Sequence, residues 1–306
     1  PLWNILVRAA FSIWLRRGWT RFDQNNETKK YKNAMSLSQL SPELVEKAKV
    51  ELNEDPDTRM NFIQELREKS KTRQDLRIEQ ADKDLIKFLR ARKFDLDRAF
   101  DLMVTYYESK RDMSDLFTNY SPSGEIKAFE SGFSIGFKDR DQEGRKIFAF
   151  RPGMWEPSER TLLDNLRANL IAIEMLLEEE ETQICGIVII GDFRGFGFKQ
   201  AKAMSPSIFR SYANVLLNCF PVRIKGIHVI EQPRIFTIVF AIVSQFMKEK
   251  LRKRVYLHGS NIVGMHQHIA KSILPNDFGG DNSPTDVQEW LRFVLNGEEE
   301  YQHLWM

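Results

Sequence analysis

The sequence predicts an α/β protein in which a small helical domain precedes a largely parallel sheet. In the second half of the chain, short runs rich in Ile, Val and Phe alternate with stretches of helical length, as in crossover units. The first third instead shows apolar residues at four-residue spacing, which is typical of helices. With 306 residues, the chain is long enough for two packed units.

The helical domain is expected to begin at Ser41, because the segment 41–43 supplies an N-cap, a first-turn proline and an early acid. Apolar spacing predicts further helices over about 62–69, 84–92 and 96–107. Strands are predicted over 147–151, 187–192, 227–230 and 255–258, with helices over 206–217 and 235–250. From Thr285 on, apolar side chains share one helical face, so an amphipathic C-terminal helix should pack against the body.

These patterns divide the chain into four parts: an extension over 1–34, an N-terminal helical domain over 35–120, a second domain over 121–282 and a C-terminal helix over 283–306. The extension is too short and too charged to span a bilayer. An interfacial helix and the remains of a signal sequence are alternatives. We favour an upstream extension that is not part of the native protein.

Charge and cysteine content restrict the function. Residues 1–34 contain seven basic and two acidic residues, so the remaining chain has a net charge of −3 despite the overall +2. A nucleic-acid binder steered by a basic field is therefore not expected. The two cysteines, Cys185 and Cys219, lie in apolar stretches, which favours a reducing cytoplasm over a disulfide framework.

Motifs of catalysis are not found. The sequence has no G-x-S-x-G, P-loop, G-x-G-x-x-G or H-E-x-x-H pattern, so we expect neither an enzyme nor a cofactor. The glycine-rich segment 191–198 contains three phenylalanines that would crowd a phosphate, and a turn from strand to helix is the better interpretation. We expect no metal at His266 and His268, structural roles for His228 and His258, and a solvated helix end at the acidic run 178–181.

Two features exceed this background. The segment 235–243 is nearly all apolar, and two interpretations stay open: a buried crossover helix or a lid over a ligand. Residues 223–254 contain eight Lys or Arg and two Glu. Such a cluster attracts anionic lipid headgroups by about 1 kcal/mol per basic residue, although a solvated surface is the alternative.

Three ordered motifs, at 88–94 (FLRARKF), 219–228 (CFPVRIKGIH) and 273–280 (ILPNDFGG), resemble the CRAL-TRIO (Sec14-like) family. Within this family the similarity is to the branch that holds α-tocopherol transfer protein, cellular retinaldehyde-binding protein and the clavesins. The resemblance implies that the sheet floors a hydrophobic cavity closed by a helical gate over about 232–246. It also implies a phosphoinositide site formed by Arg92, Arg223, Lys225, Lys250 and Arg254.

The resemblance further implies a set of mostly apolar cavity residues: Leu166, Asn169, Leu170, Ile173, Ile187, Met204, Tyr212, Val215, Leu216 and Ile227, with Phe236, Val239 and Phe246 in the gate. Asn169 and Ile173 stand where the tocopherol carrier has small hydroxyl residues, which argues against tocopherol as the cargo.

The expected function is that of a monomeric cytoplasmic carrier of a small hydrophobic lipid, tocopherol-like, retinoid or related. Its cargo would exchange at endosomal or other phosphoinositide-bearing membranes. The alternative is a clavesin-like, phosphoinositide-binding regulator of endosomal and lysosomal trafficking.

Overall fold

Four long helices form the N-terminal part of the computed structural model, which describes residues 40–305 except the side chains of Val239 and Ile242. The predicted extension over 1–34 therefore lies outside the described residues. Ser41 caps the first helix by accepting a hydrogen bond from the Leu44 backbone N–H at 3.3 Å, as its sequence predicts. The helices of this part are α1 (Pro42–Leu52), α2 (Arg59–Ser70), α3 (Asp82–Ala91), α4 (Leu96–Asp112), α5 (Ser114–Phe117) and α6 (Ile126–Glu130).

A five-stranded sheet follows, with its strands in the order of the sequence. The four predicted strands are confirmed and pair in parallel. The additional first strand, which was not predicted, pairs antiparallel with the second. The strands are β1 (Ser134–Arg140), β2 (Lys146–Phe150), β3 (Ile187–Asp192), β4 (Ile224–Ile230) and β5 (Val255–Gly259).

Helices connect the parallel strands, and two further helices follow the last strand. They are α7 (Leu162–Leu176), α8 (Glu180–Cys185), α9 (Phe198–Ala203), α10 (Pro206–Asn214), α11 (Phe236–Ser244), α12 (Glu249–Arg252), α13 (Ile262–Met265) and α14 (Val287–Glu300). The predicted helix over 206–217 changes to a π-helix over 215–219, and the one over 235–250 is interrupted between α11 and α12. Among the described helices, none has both the length and the apolar character needed to cross a bilayer.

A buried ion-pair network joins the helical part to the sheet domain. Arg90, which is fully buried, donates to both carboxylate oxygens of Glu54 at 2.8 Å, to Glu180 at 2.8 Å and to the Gln183 side chain at 2.7 Å. Within the acidic run, Glu178 lies 3.2 Å from Lys87. The prediction that the run 178–181 is a solvated helix end is therefore wrong. Glu178 and Glu180 pair with cations across the domain boundary, and the other two glutamates pair with Arg140 of the sheet domain.

Candidate functional site

An apolar cavity of about 120 Å³ lies on one face of the sheet. Strand register explains its floor: Ile189 pairs with Ile227 and Ile227 with Val255, so these side chains share a face. Helices α7, α10 and α11 form the remaining walls. A ligand in this space would contact almost entirely hydrocarbon.

The structure places seven of the predicted cavity and gate residues on this wall: Leu166, Asn169, Met204, Tyr212, Leu216, Ile227 and Phe236. Four others are fully buried in the main core and do not line the cavity: Leu170, Ile173, Ile187 and Val215. Ile173 lies one helical turn beyond Asn169, where α7 is already packed in the core, and Ile187 begins β3 at the end away from the cavity. Which of these residues contact cargo stays a prediction.

Several aromatic residues of the wall were not predicted, among them Phe193 and Phe196. The turn after β3, predicted only as a connection, places Phe193 and Phe196 on the cavity wall. Phe193 makes an edge-to-face contact with Phe236 of α11 at a centroid distance of 4.8 Å, a geometry that stabilises beyond area burial. One sequence feature could have predicted their position: the segment is rich in phenylalanine and follows the carboxyl end of a buried strand.

Two polar groups face this apolar space. The Asn169 amide Nδ2 lies 3.5 Å from the Tyr212 hydroxyl, and both residues are at least nine-tenths buried. Asn169 Oδ1 has no hydrogen-bond partner among the described residues. Burial raises the pKa of Tyr212 far above its usual value, so its hydroxyl stays protonated. The pair offers a hydrogen-bonding position inside an otherwise apolar cavity.

The apolar segment predicted as a crossover or a lid has two different faces. Phe236, Phe240 and Val243 of α11 line the cavity, at the spacing of one helical face. On the other side, Ile238 is 63% exposed, and Ile235, which directly precedes the helix, is 40% exposed. The helix is thus not buried on both sides, which favours the lid.

The remaining predictions for the gate concern Phe246, Val239 and the limits of the segment. Phe246 follows the end of α11, is half-buried and does not line the cavity. The side chain of Val239 lies outside the described residues, so its position is not tested. The predicted limits of the gate, 232–246, extend beyond the helix on both sides.

The predicted headgroup-binding cations lie mainly at the amino ends of β4 and β5. Arg223 directly precedes β4, and Arg254 directly precedes β5, where its carbonyl accepts from the Ile227 backbone N–H at 2.9 Å. Lys250 lies in α12, which packs against β4. Arg92 caps the end of α3. The structure therefore brings Arg223, Lys225 and Arg254 to one sheet edge.

A carboxylate that the sequence did not reveal occupies this edge. Glu51 of α1 accepts from Arg223 at 3.1 Å and from Lys225 at 2.8 Å through one oxygen, and its other oxygen lies 2.9 Å from Lys47. Partial burial opposes ionisation of Glu51, but hydrogen bonds from Lys225 and Lys47 outweigh it and lower the pKa to about 2. Among residues 40–305, no carboxylate lies within ion-pair distance of Arg92, Lys250 or Arg254.

His228 and His258, predicted to be structural, lie on the opposite face of the sheet from the cavity. His228 Nδ1 lies 3.0 Å from His258 Nε2, and burial, with the nearby His258 and His268, lowers the pKa of His228 to about 3. A structural pair of neutral imidazoles accounts for this geometry.

Asp84, Glu178 and His303 form the one group of three metal-ligating side chains found within the described residues. Lys87 Nζ lies 3.4 Å from Asp84 and 3.2 Å from Glu178. Burial opposes protonation of His303, but the ion pairs of its Nε2 with Asp84 at 3.1 Å and Glu178 at 3.6 Å outweigh it and raise the pKa to about 9. Two cations thus already balance the two carboxylates, and the group does not require a metal ion for charge balance.

Comparison with known proteins identifies relatives over most of the chain. The model of the CRAL/TRIO domain matches residues 130–280, and that of the CRAL/TRIO N-terminal domain matches residues 37–105. The chain is 38% identical to alpha-tocopherol transfer protein-like of Homo sapiens over 86% of its length and 77% of that protein. It is 41% identical to clavesin-2 of Rattus norvegicus over 85% of its length and 80% of that protein, and 39% identical to clavesin-1 of Xenopus laevis over 86% and 82%.

Proposed function

The chain belongs to the CRAL-TRIO family of lipid-binding proteins, and from this premise we propose that it carries one small hydrophobic lipid and exchanges it at phosphoinositide-containing membranes. The apolar cavity beneath α11 is the observation that carries the proposal. Burial of apolar cargo surface stabilises the complex by roughly 25 cal/mol per Å² removed from water, so an apolar cavity can bind such cargo strongly. The protein acts as a carrier and not as a catalyst.

Loading requires α11 to move. The cavity volume of about 120 Å³ is smaller than the roughly 300–1,000 Å³ typical of sites that enclose small organic ligands. In water, opening is unfavourable because it exposes the apolar inner face of α11. The outer face adds no such cost, since Ile235 and Ile238 are already exposed. At a membrane both faces can contact lipid, so opening costs less there.

The cation cluster supports the proposal that the target membrane carries anionic headgroups. Arg223, Lys225 and Arg254 lie together at the sheet edge, and burial lowers the pKa values of Arg223 and Lys225. Cations in such a setting gain from a further anion. The docking surface therefore suits the multiply charged phosphates of phosphoinositides.

The test is whether cargo occupies the cavity. Lipids extracted from the purified protein are identified by mass spectrometry, and vesicle-to-vesicle transfer of the identified lipid is then measured. Ala213 lines the cavity and is 2% exposed, so Ala213→Phe should fill it and lower lipid stoichiometry severalfold. Ala203→Phe makes the same change at an exposed position of α9 and should leave stoichiometry unchanged. Equal lipid content in both variants would contradict the cavity as the binding site.

A trafficking regulator is the second candidate, and the identity of 41% to clavesin-2 favours it. In that case, lipid binding localises the protein and partner proteins act on the membrane. Efficient cargo transfer between pure vesicles by the isolated protein would contradict this alternative.

A further inference from the structure

The Glu51 carboxylate lies where an anionic headgroup would bind. Its Oε2 atom accepts from both Arg223 and Lys225, while Oε1 lies beside Lys47. One carboxylate therefore contacts three cations. A phosphate group offers the same kind of acceptor oxygens to the same donors.

We propose that Glu51 is a built-in competitor, and that an inositol headgroup bearing phosphates must displace its carboxylate from Arg223 and Lys225 to bind. This inference rests on the proposed function and adds a regulatory residue to it, supplied by the N-terminal helical domain. It predicts that the free protein keeps its headgroup site occupied by its own chain.

Arg223 does not need Glu51 to hold its position. Its Nη1 atom donates to the backbone carbonyls of Ile184 and Gln183, whereas a different atom, Nη2, donates to Glu51. Loss of Glu51 would therefore free one donor and leave the guanidinium anchored.

The cluster keeps excess positive charge with Glu51 in place. Lys47, Arg223 and Lys225 carry three positive charges against one carboxylate, and nearby Arg254 further disfavours the charge on Arg223. The side chains of Lys225 and Glu51 are 18% and 30% exposed, so solvent reaches both partners of this ion pair. A multiply charged anion can therefore approach and gain more from the cluster than a single carboxylate does.

Displacement would also act on the helical domain. Apolar contacts hold α1 against α8, through Ala48 and Leu52 on one side and Ile184 and Cys185 on the other. Glu51 adds polar contacts from α1 to Arg223 and Lys225. Headgroup binding would therefore remove polar contacts that help to dock α1.

The experiment compares Glu51→Gln with the wild-type chain. Binding is measured by sedimentation with phosphatidylcholine vesicles that contain phosphatidylinositol 4,5-bisphosphate, and with vesicles of equal charge that contain phosphatidylserine. Binding of soluble inositol 1,4,5-trisphosphate is measured by titration calorimetry. Glu51→Gln should bind the phosphoinositide vesicles about 2- to 5-fold more tightly, the range expected when a partly exposed competing charge is removed. Glu46→Gln removes the same charge from an exposed position of α1 and should change binding less than twofold.

The outcomes separate this inference from the proposed function. Unchanged or weaker phosphoinositide binding by Glu51→Gln, with an unaltered unfolding midpoint, would overturn the competitor role. If Glu51→Gln binds inositol trisphosphate more tightly but binds the vesicles no more tightly, Glu51 does not regulate membrane binding. If Arg223→Ala with Lys225→Ala binds the vesicles as well as the wild type does, the headgroup site of the proposed function fails instead.

Discussion

Replacing Ile238 by Asp tests whether the outer face of α11 enters the membrane. Full burial of an isoleucine side chain is worth roughly 1.5–3 kcal/mol, and Ile238 is 63% exposed in the free protein. Its transfer into lipid therefore contributes about 1–2 kcal/mol. Because about 1.4 kcal/mol is a factor of ten, Ile238→Asp should weaken partitioning onto vesicles by about 5- to 30-fold. The inner face of α11, and hence the fold, should be unaffected.

The assay is vesicle sedimentation at fixed phosphoinositide content, with near-ultraviolet circular dichroism as the check on fold. Met60→Asp is the matched control, because it adds the same charge at an apolar position that is 41% exposed in α2, a helix that contacts chiefly α3 and α4. Partitioning of Ile238→Asp within twofold of this control would refute insertion of the gate face.

Three further predictions concern the interior. Arg90→Ala leaves the buried Glu54 with only Arg59, at 3.2 Å, and should destabilise the protein by about 2–4 kcal/mol, somewhat less than the loss of a sole partner, which chemical denaturation measures; an unaltered denaturation midpoint would contradict the anchoring role. Because the pKa of His303 is raised to about 9, its stabilising contribution of about 1–3 kcal/mol is fully present below pH 6.5 and lost as pH rises through 9. The stability difference between wild type and His303→Gln should thus vanish by pH 10, and one that is constant across pH would count against it. Asn169→Leu should weaken binding of a hydroxylated lipid by about 2- to 10-fold but spare its deoxygenated analogue, as direct competition would reveal; equal losses for both lipids would argue against a hydrogen bond.

Local patterns were enough to predict the parallel strands, since each is a short apolar run between helical stretches. The antiparallel strand β1 was missed. It contains Gly136 and ends in the charged residues Lys138, Asp139 and Arg140, so its apolar signal is short. Gly136 is required by packing rather than by strand propensity, because a Cβ atom there would lie 2.6 Å from the Trp290 ring. That constraint comes from a helix more than 150 positions away.

The partners of the acidic run 178–181 likewise could not be predicted from local sequence. By itself, a run of glutamates is most often solvated, and no local pattern indicates a partner. Lys87 and Arg90, which pair with Glu178 and Glu180, lie about 90 residues earlier. The family motif that contains Arg90 was recognised from the sequence, but the reason for its arginine is visible only in the folded protein.

The connection between β4 and β5 explains why the gate and the cations could be predicted together. Parallel neighbours need a crossover that returns the chain to the amino end of the sheet. Here the crossover places α11 over the cavity and then arrives at the sheet edge with Lys250 and Arg254. Gate and cluster are therefore adjacent in sequence because topology makes them so. Glu51 reaches the same edge from another domain, 172 residues before Arg223, and for that reason local sequence analysis could not detect it.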